Sequence, residues 1–313
     1  MLAPGARLLL AQGARLVIGL ACLAIGLFFL TRLLGGDPVR ASLGPTAPPE
    51  LVAQRRAALH LDEPVLTQLR LYVVDLGHFD LGRSIASGQP IAAKLAPRIA
   101  NSMELGFAAL PLVVLGAALG VAAAALTEEG RRRFLDRAFA RVTGIFTAVP
   151  EFLLAAALIY VFAIVLHWLP AAGHTDWRSL ILPALALGLG PAALLARITH
   201  VETRRVLAER YILTARSKRL PATILYGRHV LPNLLSATLG VGGMIVASLL
   251  GGAVLVETVF AWPGLGSALV AAITVRDYPI VQAIGLLLGS IVLVLNTLVD
   301  VALVALHTSE GRS

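Results

Sequence analysis

The sequence predicts an all-α membrane protein with six transmembrane helices, and three observations lead to this prediction. Of the 313 residues, 58% are hydrophobic and only 14% are charged, whereas soluble globular proteins carry about 25% charged residues. The mean hydropathy is +0.83. Six stretches are apolar over roughly the 20 residues that a helix needs to cross a bilayer. These observations exclude a soluble enzyme and a disordered chain.

The six predicted spans are charge-free or carry a single acidic residue. The first of them is not followed by a small-residue cleavage site, so it predicts a retained helix rather than a signal peptide. The six runs cover residues 16–31, 105–126, 142–166, 179–196, 230–256 and 278–299.

The positive charges predict that both chain ends face the cytoplasm. In that orientation 16 of the 26 basic residues lie in the cytoplasmic segments 1–15, 127–141, 197–229 and the tail, as the positive-inside rule demands. The net charge of +8 is thus an orientation signal, and no nucleic-acid partner is expected.

The spans also divide the chain into predicted domains. These are an N-terminal transmembrane helix (1–34), a helical insertion on the outer side (35–100), a transmembrane core (101–306) that includes a cytoplasmic loop (201–232), and a cytoplasmic tail (307–313). Within the insertion, residues 49–60 and 64–76 have helical apolar spacing, which predicts short amphipathic helices over the outer face of the bundle.

Residue patterns for chemistry are missing from the sequence. No phosphate loop of the form G-x-x-x-x-G-K-[ST] occurs, the seven histidines are scattered, and Cys22 is the only cysteine. We therefore expect no catalytic, cofactor-binding or metal-binding residue. Glu104, Glu151, Glu257 and Asp300 lie at or near span ends, which favours interhelical hydrogen bonds or interface anchors over a proton relay.

Two G-x-x-x-G pairs occur in the spans, Gly116 with Gly120 and Gly285 with Gly289. Small residues at this spacing let helix backbones approach closely in lipid. We interpret both pairs as packing faces within one chain.

The basic loop 197–229 predicts a docking surface. Residues 201–218 are good helix formers and should extend the fourth span into the cytoplasm, and Pro221 should break the helix and allow a restart. Apolar residues alternate with arginines along it. A partner protein or the lipid headgroups could cover such a surface, and charge alone does not choose between them.

The residues of this loop resemble the EAA loop of binding-protein-dependent ABC importers, in the variant found in the dipeptide/oligopeptide/nickel permease family. The loop matches at Tyr211, Thr214, Ala215, Lys218, Leu220, Arg228, His229, Leu231 and Asn233. Further matching strings lie at 36–38, 59–64, 80–84, 257–266 and 276–279. One departure is Arg219, where the general pattern has the glycine that would permit a left-handed turn.

The resemblance implies the fold of an ABC importer transmembrane domain, in the permease subunit with the larger periplasmic insertion, located in a bacterial inner membrane. It implies as partners a second homologous permease in a heterodimer, two ATPase subunits or domains, and a periplasmic or lipid-anchored substrate-binding protein. ATP and magnesium would bind the ATPases and not this chain. The alternative is a six-span secondary carrier or channel driven by an ion gradient. The sequence does not choose among peptides, nickel and metal chelates as substrates.

Two sets of site residues are expected. The ATPase-coupling set, in which Leu220 and Ile224 should share one apolar face, is Thr214, Ala215, Arg216, Lys218, Arg219, Leu220 and Ile224. A turn-rich segment between the last two spans should fold back into the bundle as a periplasmic gate, with candidates Trp262, Pro263, Gly264, Arg276, Asp277 and Tyr278.

Overall fold

The computed structural model describes residues 4–33, 35–44, 46–128 and 132–310, and it folds most of them into helices. No strand occurs in these ranges, where Arg83 and Pro90 form an isolated bridge. The all-α prediction is therefore confirmed. The helices are α1 Pro4–Leu33, α2 Pro38–Leu43, α3 Pro49–Ala58, α4 Val65–Gly77, α5 Ile91–Leu126, α6 Arg133–Ala148, α7 Glu151–Leu158, α8 Ile181–Leu207, α9 Arg210–Ser217, α10 Ala222–Ile224, α11 Leu231–Val259, α12 Leu265–Thr274 and α13 Tyr278–Glu310.

Five helical stretches of the described residues are long and apolar enough to cross a membrane, and a bent pair brings the number to six. The five are Ala11–Leu33, Ile91–Leu126, Trp177–Leu207, Gly240–Val259 and Tyr278–Ala302. The pair is Arg133–Ala148 with Glu151–Val165.

The bent pair corrects the third predicted span, residues 142–166. The chain turns by 101° between α6 and the helix that follows. Val149 and Pro150 are both extended (ψ 122° and 142°), and α7 begins at Glu151. A residue before proline avoids the α conformation, and proline has no N–H to continue the helical hydrogen bonds. After α7 the helix continues as a π-helix, Ile159–Val165.

The chain divides into two compact units. The first contains Met1–Met103 and Trp262–Val294, and the second contains Glu104–Ala261 and Leu295–Ser313. In the first unit, the start of α5 packs on α12 and on the first turns of α13. Their shared apolar core is Ile91, Leu95, Leu265, Ala268, Ala272, Ile280, Val281, Ala283 and Ile284.

The insertion folds as its spacing predicted. The helices expected over 49–60 and 64–76 are α3 and α4, and the structure adds the short helix α2. Asp37 caps α2 through hydrogen bonds from the amides of Val39 and Arg40, and it forms an ion pair with Arg56 of α3 at 3.0 Å. Burial alone would raise the pKa of Asp37, but the hydrogen bonds from Arg56 and the two amides lower it overall.

In the second unit, α8 packs against α6, α7 and α11 and holds many of the buried residues. Asp136 of α6 contacts two basic side chains of α8: Arg204 at 3.3 Å and His200 at 3.3 Å. The angle at His200 is too poor for a hydrogen bond, so its Nε2 has no such partner among the described residues. The ring of His200 instead packs on Phe139, with centroids 4.9 Å apart.

Both G-x-x-x-G pairs pack within the chain, which confirms their interpretation. A Cβ on Gly116 would overlap the backbone of Ala192, and one on Gly120 would overlap the carbonyl of Ala196. Gly285 and Gly289 instead face side chains of α1, those of Leu27 and Leu23. The first pair therefore sets a backbone-to-backbone approach of α5 and α8, where no larger residue fits.

Candidate functional site

The basic loop folds as a short helical hairpin, with a break that the sequence did not predict. The helix expected over 201–218 is interrupted at Ala208 and Glu209, where Glu209 is extended (φ −69°, ψ 147°). Helix α9 follows, then a turn, then α10 and the π-helix Leu225–Val230. We call residues 210–230 the coupling segment.

The coupling segment has an apolar core of its own. Side chains from α8, α9 and the π-helix bury one another, and Leu220 and Tyr226 pack against them from the side. The buried members are Val206, Leu207, Ile212, Ala215, Leu225 and Val230. The segment is therefore a folded element that packs on the end of α8.

Arg219 occupies the left-handed turn that the family pattern assigns to glycine. Its φ is +53°, and its N–H donates to the carbonyl of Arg216 at 2.8 Å. The turn has thus kept its shape although the residue has changed. A non-glycine residue in this region costs roughly 1–2 kcal/mol, so Arg219 holds the turn under strain.

We expect Arg219→Gly to raise the melting temperature of the transporter slightly and to leave uptake intact. Glycine removes the left-handed penalty of roughly 1–2 kcal/mol but adds chain entropy in the unfolded state. The matched variant Arg219→Ala removes the same charge and keeps the strain, so it should not be stabilised. Thermal unfolding of the two variants checks this, and a less stable Arg219→Gly would contradict it.

The expected coupling residues divide into exposed and internal groups. Thr214, Lys218, Arg219 and Ile224 are exposed, whereas Ala215 is buried and Leu220 is half-buried against the core of the segment. Leu220 and Ile224 therefore do not present one apolar face outward. The exposed apolar side chains of the segment include those of Tyr211, Leu213 and Ile224, and Ile224 is 42% exposed.

Arg216 ties the coupling segment to the end of α5. Its guanidinium forms an ion pair with Glu128, two residues beyond that helix, at a half-buried position. Arg216 Nε is buried without a hydrogen-bond partner in the described residues. Burial, followed by the charge of Glu128, raises the pKa of the neighbouring Tyr226. Nothing in the sequence pattern marked Glu128 as a partner, because the pair is 88 residues apart.

The turn at 262–266 is built into the first unit through hydrogen bonds to α5, and its role as a gate stays a prediction. Trp262 is fully buried, and its indole N–H donates to the carbonyl of Asn101 at 3.0 Å. The amide of Asn101 donates to the carbonyl of Pro263, and Arg98 donates to that of Gly264. After this turn the chain forms α12, an apolar helix of ten residues that the sequence analysis missed.

The segment Arg276–Tyr278 fastens the insertion to the start of α13. The carboxylate of Asp277 is buried and accepts hydrogen bonds from the hydroxyl of Ser84 and the amides of Ile85 (3.1 Å) and Ala86 (3.4 Å). The hydroxyl of Tyr278 donates to the carbonyl of Gly35. We call these contacts the Asp277 clamp.

Arg276, the first residue of this segment, packs against Gly36 at the start of the insertion. It has a positive φ of 57° and its guanidinium lies where a Cβ on Gly36 would stand. Gly36 itself has φ +86°, a conformation that favours glycine, and a Cβ there would displace the Arg276 guanidinium. In the sequence, Gly36 and Ser84 stand out only as members of strings that match the family. In the structure Gly36 lies against Arg276, and Ser84 donates to Asp277.

Asp277→Ala should loosen the insertion without unfolding the spans. It leaves a buried hydroxyl and two amides without their acceptor, at about 1–3 kcal/mol for each unsatisfied group. Since each 1.4 kcal/mol is tenfold in population, protease cleavage within residues 78–90 should accelerate at least about tenfold. Glu50→Ala, an exposed change in the same insertion, is the control. Equal cleavage rates in both variants would show that the clamp does not hold the insertion.

Three acidic residues near the ends of the predicted spans have different surroundings. Glu104 pairs with His174 at 3.1 Å. The carboxylate of Glu151 lies against Gly252 of α11, where a Cβ would overlap it, and Glu257 is buried. No group of three or more metal-ligating side chains is found among the described residues.

The apolar spans, the folded basic segment between α8 and α11, and the apolar helix before α13 define a multi-span membrane protein with the transmembrane fold of an ABC importer. Residues 106–309 match the family model of the binding-protein-dependent transport system inner membrane component. The chain belongs to this family and is a permease component located in a bacterial inner membrane.

Individual relatives cover nearly the whole chain. A protein of Brucella abortus described as a peptide transport system permease is 37% identical over 303 residues, covering 94% of this chain and 95% of its own. The glutathione transport system permease protein of Salmonella choleraesuis is 36% identical over 295 residues, covering 93% and 94%.

A solved structure supports the fold. A chain of the methionine ABC transporter MetNI, in an inward-facing crystal form, superimposes with a TM-score of 0.56 at 19% identity. The match covers 68% of this chain and 95% of that one. The family model and the two permease relatives confirm the family resemblance drawn from the loop residues and outer strings.

Proposed function

We propose that this permease forms half of a translocation pathway for peptides or related small solutes, glutathione-like compounds included. The observation that carries the proposal is the similarity over more than nine tenths of the chain to permeases of peptide and glutathione transport systems. Nickel and metal chelates are further substrates of the family that the loop resembles. Identification of the bound ligand would distinguish them from peptides.

The proposal includes the rest of the transporter. A second, homologous permease would complete the pathway, two ATPase subunits or domains would hydrolyse ATP with magnesium, and a substrate-binding protein would deliver the solute. The coupling segment supports this arrangement because it is folded, basic and exposes apolar side chains. Both chain ends would face the cytoplasm, with the coupling segment on that side.

Energy coupling would follow from the rigidity of this segment. Closure of the ATPases on ATP would move the segment together with the end of α8, since residues of both share one buried core. The ion pair of Arg216 with Glu128 would pass that movement to the end of α5. Such a movement biases the bundle between inward-open and outward-open states.

The test is uptake into proteoliposomes that contain the whole transporter. Uptake of a labelled peptide should require both ATP and the cognate binding protein, and it should stop when ADP replaces ATP. Uptake driven by a proton or sodium gradient without ATP would instead identify a secondary carrier. Mass spectrometry of the ligand that copurifies with the binding protein would name the substrate class.

A further inference from the structure

A cavity of about 670 Å³ lies in the first unit, beside the outer end of the first span. The last turns of α1, helix α4 and the first turns of α13 contribute to its wall, through residues that include Phe28, Arg32, Tyr72, Asp75 and Gln282. The cavity therefore sits at the level where two membrane spans end, which is the level of the lipid headgroups in a bilayer.

Charged groups of both signs line this cavity without neutralising one another. Arg32 lies 4.6 Å over the ring of Phe28 and donates to Gln68, and Arg83 donates to the carbonyl of Gly88 at 3.2 Å. Asp75 and Asp80 line the same space. None of the four forms a salt bridge with another described residue.

Arg56 also lines the cavity, but unlike Arg32 and Arg83 it forms salt bridges. Its guanidinium is held by Asp62 at 2.8 Å and by Asp37 at 3.0 Å, and hydrogen bonds to these two carboxylates raise its pKa. Arg56 is thus occupied within the insertion, whereas Arg32 and Arg83 keep donor capacity for a ligand.

Tyr72 adds a hydrogen-bond donor. Its ring stacks on Phe28 with centroids 5.7 Å apart, and its hydroxyl is buried with no partner among the described residues. Burial raises the pKa of Tyr72 to about 12, so the hydroxyl keeps its proton at neutral pH. A buried donor without an acceptor is costly, and a ligand oxygen would satisfy it.

The helices that line the cavity also carry exposed apolar side chains. Helix α1 exposes Ile25, Phe29, Leu30 and Leu33, and α4 exposes Leu66, Val73 and Val74. Phe79, just after α4, is 93% exposed. A ligand that combines a zwitterionic head with hydrocarbon chains would use both the charged cavity and these faces.

We propose that the cavity binds the headgroup of a phosphatidylethanolamine-type phospholipid from the outer leaflet. Arg32, Arg83 and the Tyr72 hydroxyl receive the phosphate, Asp75 and Asp80 accept from the ammonium group, and the acyl chains follow the exposed face of α1. The assignment to the outer leaflet rests on the orientation given under the proposed function. Charge-assisted hydrogen bonds of this kind are the strong ones.

The experiment counts lipids retained by the whole transporter. The complex with its partner subunits is reconstituted in nanodiscs of equal phosphatidylethanolamine and phosphatidylcholine, extracted, and examined by native mass spectrometry. Phosphatidylethanolamine should be retained about tenfold over phosphatidylcholine, whose quaternary ammonium donates no hydrogen bond. Arg32→Gln and Asp75→Asn should each lower its retention about tenfold, as expected of a lost charge-assisted hydrogen bond.

The matched control is Arg15→Gln on the same helix. Arg15 is exposed and lies 17 residues before Arg32, or about 26 Å along α1, so its replacement should leave retention unchanged. If Arg32→Gln does not fold, Asp75→Asn tests the same cavity from an exposed position outside the spans.

Four results would overturn the proposal: equal retention of both lipids by the parent, unchanged retention in the foldable variants, an equal loss in Arg15→Gln, or displacement of the lipid by a soluble zwitterion. Displacement of the lipid by millimolar dialanine would instead assign the cavity to a soluble zwitterion, and the lipid proposal would be wrong. The lipid count does not depend on uptake. A transporter that failed the ATP-dependent uptake test would still give a readable answer.

Discussion

Ile224→Asp is expected to abolish ATP-dependent uptake while the chain remains inserted in the membrane. Ile224 is 42% exposed on α10. Buried apolar anchors dominate docking energy at protein interfaces, and rim charges tune recognition and rate. A carboxylate at this position would be buried against the ATPase without a partner, a loss of several kcal/mol.

Two comparisons separate docking from folding in this test. Thr223→Asp places the same charge on an adjacent face of α10, and it should impair copurification of the ATPases less than Ile224→Asp does. Leu220→Asp should also stop uptake, but for another reason, because Leu220 packs against the core of the coupling segment. It should therefore expose the segment to proteolysis, which Ile224→Asp should not. Full uptake by Ile224→Asp would remove Ile224 from the coupling site.

Gly116→Leu is expected to prevent recovery of folded transporter. A Cβ at Gly116 already overlaps the backbone of Ala192, and backbone atoms of packed helices cannot move aside as a side chain can. Even Gly116→Ala should cost about 1–3 kcal/mol through overpacking. Size-exclusion chromatography and thermal unfolding of the detergent-solubilised transporter measure both effects.

Gly106→Leu is the control on the same helix. Nothing lies within 4 Å of a Cβ at Gly106, so this variant should be recovered in parent-like yield. Gly285→Ala should give a yield between those of Gly116→Leu and Gly106→Leu, since its Cβ would meet only the flexible side chain of Leu27. A parent-like yield of Gly116→Leu would mean that α5 and α8 do not pack as closely as the structure shows.

The spans were predictable because burial in lipid leaves a direct mark on composition. About 20 apolar residues satisfy a bilayer wherever they occur in the chain, and the sequence stretches agree with the helices Ala11–Leu33 and Tyr278–Ala302. The amphipathic helices α3 and α4 were predictable for a similar reason, since their spacing repeats with the helical period. The family was predictable from ordered strings of residues.

The break in the third span was less predictable. Pro150 gives a reason for a kink, but a turn of 101° depends on the neighbouring helices as well as on the proline. Helix α12 was missed because its ten residues are too few to span, and the turn formers before it concealed its apolar core. The coupling role of this segment stays a prediction, but the sequence assigned Leu220 and Ile224 to one apolar face and the structure does not. Ala215 and Leu220 face inward because α8 and the π-helix fold over α9.

By itself, the sequence determined that this chain is a multi-span permease component with a basic loop before the fifth predicted span, because hydropathy, charge and motif are local properties of consecutive residues. Only the tertiary structure decided which residues act together. Asp277 with Ser84 and Arg216 with Glu128 are separated by 193 and 88 residues. Packing brings them into contact, and no periodicity along the chain records such pairs.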